Sequence, residues 1–413
     1  MINADITVYG AHWCPDCRRS KLFLGEHRIA YNWVDIEEDP DGGRVVAEKN
    51  GGKRIIPTIV FNDGSFLVEP TNAALAAKLG LKTEASRTHY DFIVIGGGPA
   101  GLTAALYTAR EAIDTLVIER SSFGGQTAGT EILENMPGFP EGVEGIEFSN
   151  RLRQQAERFG VELLEAQQVA SIGRRANLFR VRTEEGHEYG ARALLIATGS
   201  HYRRLNVPGE AEFMGAGVHF CATCDGPFYK GKRVAVIGGG NSATEESLLL
   251  TKFAAHVTIL VRGGELTATH LIQEKVLSHP KIDLLWNTEV RQFLGAAGKL
   301  SAVKYASTLT GGEEELPVDG AFIFIGLMPN TGFLEKSGVI LDRWGFIVTG
   351  QNLLGAENRP EGFKKRDPNM FETSFPGVFA AGDVRDASTK QAVSAAGEGA
   401  AAALAVRDYL KQV

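Results

Sequence analysis

Two glycine-rich turns, each lying between an apolar strand and a helix, constrain the fold of this chain more than any other feature. The first is Gly96-Gly-Gly-Pro-Ala-Gly101 and the second is Gly238-Gly-Gly-Asn-Ser-Ala243. Glycine at these spacings allows a tight turn and lets a pyrophosphate approach the N-terminus of the following helix. The pattern therefore predicts an α/β protein with two Rossmann-like nucleotide-binding domains.

The strand that follows each turn predicts which nucleotide binds. After the first turn the next strand ends at Glu119, where a carboxylate is placed to bind a ribose hydroxyl pair. After the second turn it ends at Arg262, which suits a 2′-phosphate and favours NADPH over NADH; a solvated surface charge is the alternative. The predicted binding residues are Gly96, Gly98, Pro99, Ala100, Gly101 and Glu119 in the first unit, and Gly238, Gly240, Asn241, Ser242, Ala243 and Arg262 in the second.

A pair of cysteines lies between the two turns, in Cys221-Ala-Thr-Cys224-Asp225. Two thiols separated by two residues close a small ring, and such a disulfide is reversible near cellular redox potentials. The adjacent carboxylate of Asp225 can carry protons. The alternatives are half of a zinc site or a pair of inert core cysteines, and the surroundings must decide between them.

The remaining two cysteines, Cys14 and Cys17, form a second C-x-x-C pair near the N-terminus. No basic region followed by an apolar stretch begins the chain, and no segment approaches eighteen uninterrupted apolar residues. We therefore expect a cytoplasmic protein, in which paired cysteines favour catalytic dithiols over structural disulfides. One zinc site shared by both pairs would need ligands far more distant in sequence than zinc ribbons use, so no metal is predicted. A net charge of −7, a pI near 5.8 and the absence of basic runs give no indication of a nucleic-acid or membrane partner.

Cys14 is predicted to begin a helix that continues to about Glu26. Unpaired N–H groups at a helix N-terminus favour a thiolate, and Pro15 is tolerated in the first turn. Downstream, Ile56-Pro57-Thr58 enters a strand and is a candidate for a cis proline beside the dithiol. The Trp-Cys-Pro-x-Cys motif, this turn and the β-α-β-α-β-β-α order resemble glutaredoxins, especially mycoredoxin or NrdH-like redoxins. Asp16, where glutaredoxins usually carry an aromatic residue, and a missing Gly-Gly depart from the family and put glutathione binding in doubt.

Residues 89–413 resemble bacterial low-molecular-weight thioredoxin reductases along nearly their whole length. The resemblance depends on both glycine turns, Gly124-Gly125-Gln126, Ala197-Thr198-Gly199, the Cys-Ala-Thr-Cys-Asp motif and Ala381-Gly382-Asp383 in one order. It implies that FAD contacts the first turn, Glu119, Gly125, Gln126, Asn135, Ala197, Thr198, Gly199, Gly382, Asp383, Lys390, Gln391 and Ala392. It also implies that Cys224 faces the flavin, Cys221 attacks the partner's disulfide and Asp225 protonates the leaving thiolate. The family's three-arginine signature is reduced here to Arg262, with Glu265 nearby.

These observations predict a domain order, with a redoxin-like domain followed by a discontinuous FAD domain that encloses the NADPH domain. The predicted ranges are 1–81 for the redoxin-like domain, 82–88 for a polar linker, 89–205 and 328–413 for the FAD domain, and 206–327 for the NADPH domain with its dithiol. Fully extended, the linker spans only about 25 Å, so the redoxin-like domain must dock on its own chain or a neighbouring subunit. Residues 350–370 are polar and are predicted to form a surface loop.

The leading functional hypothesis is a fused electron chain from NADPH through FAD and Cys221–Cys224 to Cys14–Cys17. External disulfides of redoxin-type proteins or small thiols would be the final acceptors, and a homodimer is expected from the resemblance. One alternative is an enzyme with a different electron donor, such as ferredoxin or NADH. Another is a redox-sensing module without turnover, and a third is a redoxin domain kept only for docking.

Overall fold

A computed structural model describes residues 6–27, 29–130, 132–175, 177–296, 298–354 and 359–413, without the side chains of Glu26, Thr223 and Cys224. Contacts divide the chain into two compact units. The first comprises Met1–Gly129, Glu144–Gly199 and Pro329–Val413, and the second Thr130–Val143 and Ser200–Met328. Within the described ranges, every helix is too short or too polar to span a bilayer.

The elements alternate between strands and helices along most of the chain. The N-terminal segment contains β1 Ile6–Gly10, α1 Pro15–Glu26, β2 Tyr31–Asp35, α2 Pro40–Lys49, β3 Thr58–Phe61, β4 Phe66–Val68 and α3 Asn72–Lys78. Then come β5 His89–Ile95, α4 Pro99–Arg110, β6 Thr115–Ile118, α5 Gly125–Ala128, β7 Ile132–Leu133, β8 Val143–Glu144, α6 Gly145–Arg158, β9 Glu162–Leu164, β10 Val169–Arg175, β11 Leu178–Thr183, β12 Glu188–Ile196 and β13 Ser200–Tyr202. The remainder is β14 Val218–His219, α7 Ala222–Asp225, β15 Arg233–Ile237, α8 Asn241–Leu250, β16 His256–Leu260, α9 His270–Leu277, β17 Ile282–Leu285, β18 Thr288–Ala296, β19 Lys299–Ser307, β20 Glu313–Pro317, β21 Gly320–Ile323, β22 Leu327–Pro329, β23 Val378–Ala380 and α10 Ala392–Leu410.

The N-terminal segment has the predicted β-α-β-α-β-β-α order. Its sheet has the order β2-β1-β3-β4, with β1 parallel to β2 and antiparallel to β3. Alternating residues of β1 bury one face of the strand, and Ile6 and Val8 pack with Phe23 and Leu24 of α1. The Ile56–Pro57 peptide bond is cis, as predicted.

The central sheet of the first unit brings three strand ends to one edge. Its strands lie in the order β10-β11-β12-β5-β6-β9, and β23 pairs with β12. Strands β5, β12 and β23 are parallel, with Ile196 opposite both Ile95 and Ala380. The loops after these three strands therefore meet at one sheet edge, where ligands of α/β proteins bind. Helices α4 and α10 cover one face of the sheet.

Linker residues 82–88 lie along the first unit and are bound by it. Glu162 of β9 accepts hydrogen bonds from the backbone N–H of Ser86 (2.6 Å) and from Tyr90 Oη (2.5 Å). Arg87 pairs with Asp114 at 2.5 Å. The linker is thus ordered by specific contacts over most of its length.

The redoxin-like domain packs on the segment after β9. Ala166 is buried in the same apolar cluster as Ile29 and Leu79, and Leu81 packs against that cluster. His27, which caps the C-terminus of α1, lies 3.5 Å from the buried carboxylate of Glu165, and Arg153 of α6 pairs with the same carboxylate. The redoxin-like domain therefore docks on its own chain through the C-terminal end of α1.

The second unit is built on a parallel sheet of order β14-β21-β15-β16-β17. An antiparallel sheet, β18-β19-β20, adds to its core. The chain passes from one unit to the other after Gly199 and after Met328, and hydrogen bonds hold the two segments together on each side. In the first unit Asn330 N–H donates to Gly199 O (3.0 Å), and in the second Arg203 N–H donates to Gly326 O (3.0 Å).

A short helix follows Gly124, and the predicted surface loop at 350–370 is partly buried. Gly125–Ala128 forms one helical turn after Gly124 and Gly125, which both have positive φ. Between 350 and 370, Leu353 and Phe363 are almost completely buried within short 3-10 turns. That segment is consequently anchored in the core; its residues 355–358 lie outside the described residues.

Candidate functional site

The first glycine turn is shaped by packing at two positions and open at a third. A Cβ on Gly96, which has φ of 107°, would lie 2.4 Å from Ala197 O, and one on Gly101 would lie 1.9 Å from Gly96 O. A Cβ on Gly98 would meet no atom within 4 Å. Gly96 and Gly101 are therefore required by the turn itself, whereas Gly98 faces space that a ligand phosphate can enter. Pro99 and Ala100 begin α4 directly after it.

Glu119 is buried at the end of β6 and supports this turn. Its Oε2 accepts a hydrogen bond from Gly97 N–H at 2.7 Å, and its Oε1 accepts one from Ser121 N–H at 3.0 Å. The carboxylate thus holds the turn's backbone at the position where the sequence predicts a ribose contact. Gly125 lies against the same turn, since its Cβ would be 3.4 Å from Gly98 Cα.

Asp383, which follows β23, is a half-buried acid whose Oδ1 atom is buried. Its Oδ1 has no hydrogen-bond partner among the described residues, and burial raises the pKa of its carboxyl group. Lys390 Nζ donates to the backbone carbonyls of Asp383 (2.8 Å) and Arg385 (2.6 Å). Burial lowers the pKa of Lys390 to about 8. An unpartnered acceptor at the shared sheet edge matches a ligand that offers a hydroxyl donor.

The other predicted residues of this site lie around the same edge. Ala197, Thr198 and Gly199 follow β12, and Thr198 Oγ1 donates to Asn330 O at 2.8 Å. A Cβ on Gly382 would lie 3.0 Å from that of Ala100. Gln126 lies in α5, Gln391 caps α10 and Ala392 is its first residue. Asn135 lies in the 130–143 segment, which clusters with the second unit.

One residue of this region was not singled out by its sequence pattern. Gly399, in the middle of α10, would place a Cβ 2.1 Å from Ala100 O. It lets the final helix approach the first turn of α4, and a glycine in an alanine-rich helix was the available signal. Together, the open face at Gly98, the turn held by Glu119 and the unpartnered Asp383 fit the pyrophosphate and polyol of a dinucleotide such as FAD.

The second glycine turn repeats this design in the second unit. A Cβ on Gly238, which has φ of 138°, would lie 2.3 Å from Phe324 O, whereas one on Gly240 would meet only Thr267 Oγ1 at 3.7 Å. Asn241 and Ser242 begin α8 and are exposed, while Ala243 is buried. Arg262 is exposed and follows β16, whose Leu260 lies opposite Ile237. This arrangement leaves an accessible turn with one cation at the same sheet edge.

The two N-terminal cysteines occupy different positions at the start of α1. Cys14 caps α1, and its Sγ accepts a hydrogen bond from Cys17 N–H at 3.1 Å. Both thiols are free and largely buried, beside an exposed Trp13. Burial, and then the hydrogen bond with Cys14, raise the pKa of Cys17 to about 12. Cys17 therefore remains a thiol at neutral pH, while Cys14 Sγ lies against a backbone N–H at the helix N-terminus.

The central dithiol segment connects β14 to α7. Cys221 is disulfide-bonded and precedes α7, whose backbone includes Cys224; the Cys224 side chain lies outside the described residues. Asp225 Oδ2 lies 3.3 Å from Nδ1 of the buried His219, and His219 Nε2 lies 2.7 Å from Tyr229 Oη. Sequence reasoning did not identify His219 or Tyr229, because a lone histidine near a strand end is more often a core residue.

Two family profiles match the chain. That of the pyridine nucleotide-disulphide oxidoreductases matches residues 90–399, and that of the glutaredoxins matches residues 6–66. Thioredoxin reductase of Bacillus subtilis (strain 168) is 41% identical over 324 residues, covering 78% of this chain and 96% of that protein. The crystal structure of thioredoxin reductase from Streptococcus pyogenes MGAS5005 matches with a TM-score of 0.71 and 36% identity, covering 79% of this chain and all of the other. Thioredoxin reductase from Giardia duodenalis matches with a TM-score of 0.70 and 33% identity over the same share of this chain and all of that chain.

Proposed function

The chain belongs to the pyridine nucleotide-disulphide oxidoreductase family and carries a glutaredoxin domain at its N-terminal end, and on this premise we propose that it passes electrons through two of its own dithiols. It is a thioredoxin-reductase-like, FAD-dependent NADPH oxidoreductase. The proposed route runs from Cys221–Cys224 to Cys14–Cys17 and then to external disulfides of redoxin-type proteins or small thiols. We propose further that it acts in the cytoplasm and forms a homodimer. Light scattering at known concentration tests the oligomeric state.

When bound, NADPH and FAD would supply the electron pair that reduces the central disulfide. The residues of the chain hold these groups and move the protons. Gly98 and Gly240 leave space for the two pyrophosphates, and Asp383 offers its unpartnered Oδ1 to the FAD polyol. Arg262 is the proposed contact for the 2′-phosphate of NADPH.

The exchange between the two dithiols balances with two protons. The Cys221 thiolate attacks one sulfur of the Cys14–Cys17 disulfide, a new S–S bond forms, and the departing sulfur leaves with the electron pair and takes the proton of Asp225. Cys224 then gives its proton to the Asp225 carboxylate and attacks Cys221. The Cys221–Cys224 bond closes, the second redoxin sulfur departs, and Asp225 protonates it.

The contrast between the two cysteine pairs carries this proposal. Cys14 and Cys17 are a free dithiol at a helix N-terminus, while Cys221 is held in a disulfide between two nucleotide turns. We propose that Cys14 attacks external disulfides and that Cys17 resolves the mixed disulfide, which the position of Cys14 at the helix cap and the raised pKa of Cys17 support. The docking module without chemistry would need no such division between its two thiols.

Fusion supports the route through effective concentration. A short tether holds donor and acceptor at about millimolar levels without a tight interface. The linker contacts at Glu162 and the docking at Glu165 fix the redoxin domain to its own chain. Whether Cys14 meets the dithiol of its own subunit or of a second subunit is tested by mixing Cys14→Ser protein with Cys221→Ser protein. Activity restored by mixing would indicate transfer between subunits.

The test compares Cys14→Ser, Cys17→Ser and the unaltered protein with a panel of protein and small-thiol disulfides. Stopped-flow absorbance is expected to show normal flavin reduction by NADPH in all three. Turnover of disulfides is expected to be lost in Cys14→Ser, and Cys17→Ser is expected to accumulate a mixed disulfide visible by mass spectrometry. Unchanged disulfide turnover in Cys14→Ser would contradict the route through the redoxin domain, and background turnover in every protein would favour the sensing module.

The reduced arginine signature makes the identity of the electron donor a separate test. Arg262 is exposed with Glu265 nearby, and the intervening residues are glycines. Anaerobic titration of the flavin absorbance with NADPH, NADH and reduced ferredoxin compares the three donors directly. We expect Arg262→Ala to weaken the binding of NADPH and to leave the binding of NADH unchanged. Unchanged binding of both nucleotides would show that the arginine is only a solvated surface charge.

A further inference from the structure

A buried histidine beside the central dithiol is not used by the exchange described above. His219 ends β14, two residues before Cys221, and is 7% exposed. Its two ring nitrogens face different polar groups: Nδ1 lies 3.3 Å from Asp225 Oδ2, and Nε2 lies 2.7 Å from Tyr229 Oη. Both nitrogens of this buried ring are therefore satisfied, and one of the two partners is the carboxyl group beside the dithiol.

The environment orients this imidazole and favours one of its two tautomers. Its ring packs 5.3 Å from the ring of Phe322 and edge-on, at 72°, against that of Tyr229. Burial, followed by the charges of Asp225 and Asp319, raises the pKa of Tyr229, so its hydroxyl stays protonated and donates. The nearby cation, Lys232, lies over the Tyr229 ring with its Nζ 5.3 Å from the ring centroid. With Nε2 accepting from tyrosine, a neutral imidazole carries its proton on Nδ1, which faces Asp225.

We propose that His219 is a positioning residue for Asp225, whose carboxyl group it orients through Nδ1–H for proton transfer to the departing sulfur. The inference rests on the proposed function, because it needs Asp225 to be the proton donor of the exchange. When the Asp225 proton moves to the departing sulfur, the carboxylate that remains keeps a hydrogen bond from Nδ1–H. The thiol proton of Cys224 then restores the acid, Asp225 passes this proton to the second departing sulfur, and the exchange ends with Asp225 as a carboxylate.

Tyr229 determines which nitrogen of His219 carries the proton. When its hydroxyl donates to Nε2, the N–H of the ring is on Nδ1 and points to Asp225. Asp225 is about a quarter exposed, so without His219 its carboxyl group is free to turn to solvent. Loss of such an orienting contact costs on the order of tenfold in rate.

The test uses the full-length protein with its own redoxin domain as the acceptor. Oxidised protein is mixed with NADPH without oxygen, quenched at intervals and alkylated, and mass spectrometry measures reduced Cys14 and Cys17 between pH 6 and 9. His219→Phe is expected to lower this rate on the order of tenfold and to change its pH profile. His219→Asn, whose amide nitrogen takes the place of Nδ1–H, is expected to recover most of the rate. Flavin reduction by NADPH, followed in the same experiment, serves as the internal reference.

Coupling to Asp225 separates a positioning role from a structural one. Asp225→Asn is expected to be slow, and adding His219→Phe to it is expected to cause no further loss. Additive losses, a His219→Phe protein with normal rate and pH profile, or a His219→Asn protein as slow as His219→Phe would each overturn the inference. Tyr229→Phe removes a single oxygen and is expected to alter the pH profile; an unaltered profile counts against the fixed tautomer.

Failure of this inference is distinguishable from failure of the proposed route. A normal rate in Asp225→Asn would remove the proton donor itself and overturn the inference with it. Cys14→Ser protein that still reduces external disulfides would contradict the route through the redoxin domain, whatever the result at His219.

Discussion

The carboxylate of Glu162 binds several donors in and beside the linker. It accepts from Lys82 Nζ (2.6 Å), from the N–H and hydroxyl of Ser86 (2.6 and 2.8 Å) and from Tyr90 Oη (2.5 Å). Burial by itself would raise its pKa, but the hydrogen bonds from these donors hold the pKa of Glu162 at about 2. The carboxylate therefore keeps the linker bound to β9, and we call this bound state closed.

The change Glu162→Gln keeps the side chain's shape and removes its charge. The remaining amide oxygen can accept from fewer of these donors, and charge-assisted hydrogen bonds are roughly twice as strong as neutral ones. The shift in pKa sets an upper limit of about 3 kcal/mol, which solvent around the half-exposed Lys82 reduces to about 2 kcal/mol. That loss corresponds to a roughly 30-fold larger open fraction of the linker.

Limited trypsin digestion measures this open fraction, because Lys82 and Arg87 are the cleavage points within the linker. When reclosing is faster than cleavage, the cutting rate follows the equilibrium between closed and open linker. We expect Glu162→Gln to be cut roughly 30 times faster. The matched control is Glu147→Gln on α6, which loses only an exposed pair with Arg151 and is expected to behave like the unaltered protein. Equal cutting rates in both variants would refute the proposal that Glu162 holds the linker closed.

The same carboxylate predicts how the linker responds to pH. Its pKa in the folded protein is about 2, below the ordinary value of 4.5, so its stabilising effect is complete above about pH 4.5 and is lost as the pH falls toward 2. The protection factors of the amides of residues 82–88, which correct exchange rates for their intrinsic pH dependence, are expected to fall over that range. Glu162→Gln should not show this fall, since it has no carboxylate to titrate.

Three further outcomes are expected at the cofactor and dithiol sites. Gly101→Ala should destabilise the protein by several kcal/mol in thermal unfolding, because its Cβ would lie 1.9 Å from a backbone oxygen, whereas Gly98→Ala should fold normally and lose bound flavin. Asp383→Asn should retain less FAD, measured by flavin-to-protein absorbance, without lowering the melting temperature of the apoprotein, since it removes an unpartnered buried carboxyl. Because the pKa of Cys17 is about 12, iodoacetamide at pH 7 to 8 should alkylate Cys14 and leave Cys17 unmodified in peptide mass spectra.

The features that sequence predicted are those that local backbone geometry determines. Gly96 and Gly238 have positive φ and face a backbone oxygen, so the glycine pattern reports a requirement of the turn itself. Cys14 was predicted to begin a helix whose first turn tolerates Pro15, and it caps α1. The one-turn helix after Gly124 was missed because four residues are too few to show a helical period.

The features that sequence missed depend on residues far apart in the chain. His219 and Asp225 are close in sequence, but the ring of Phe322 holds the imidazole in place. Likewise, Ala166 and Glu165 give no local sign that they will receive the redoxin domain. Such contacts follow from tertiary packing, which periodicity and spacing in one sequence do not encode.

The docking of the redoxin domain separates attachment from chemistry along a single helix. Helix α1 has twelve residues and is about 18 Å long at 1.5 Å per residue. Cys14 caps its N-terminus, while His27, at its C-terminus, lies against Glu165. Because the two ends do not overlap, the domain can stay attached while Cys14 reacts. A tethered donor that had to undock before each turnover would lose part of the effective concentration that fusion supplies, and this arrangement avoids that loss.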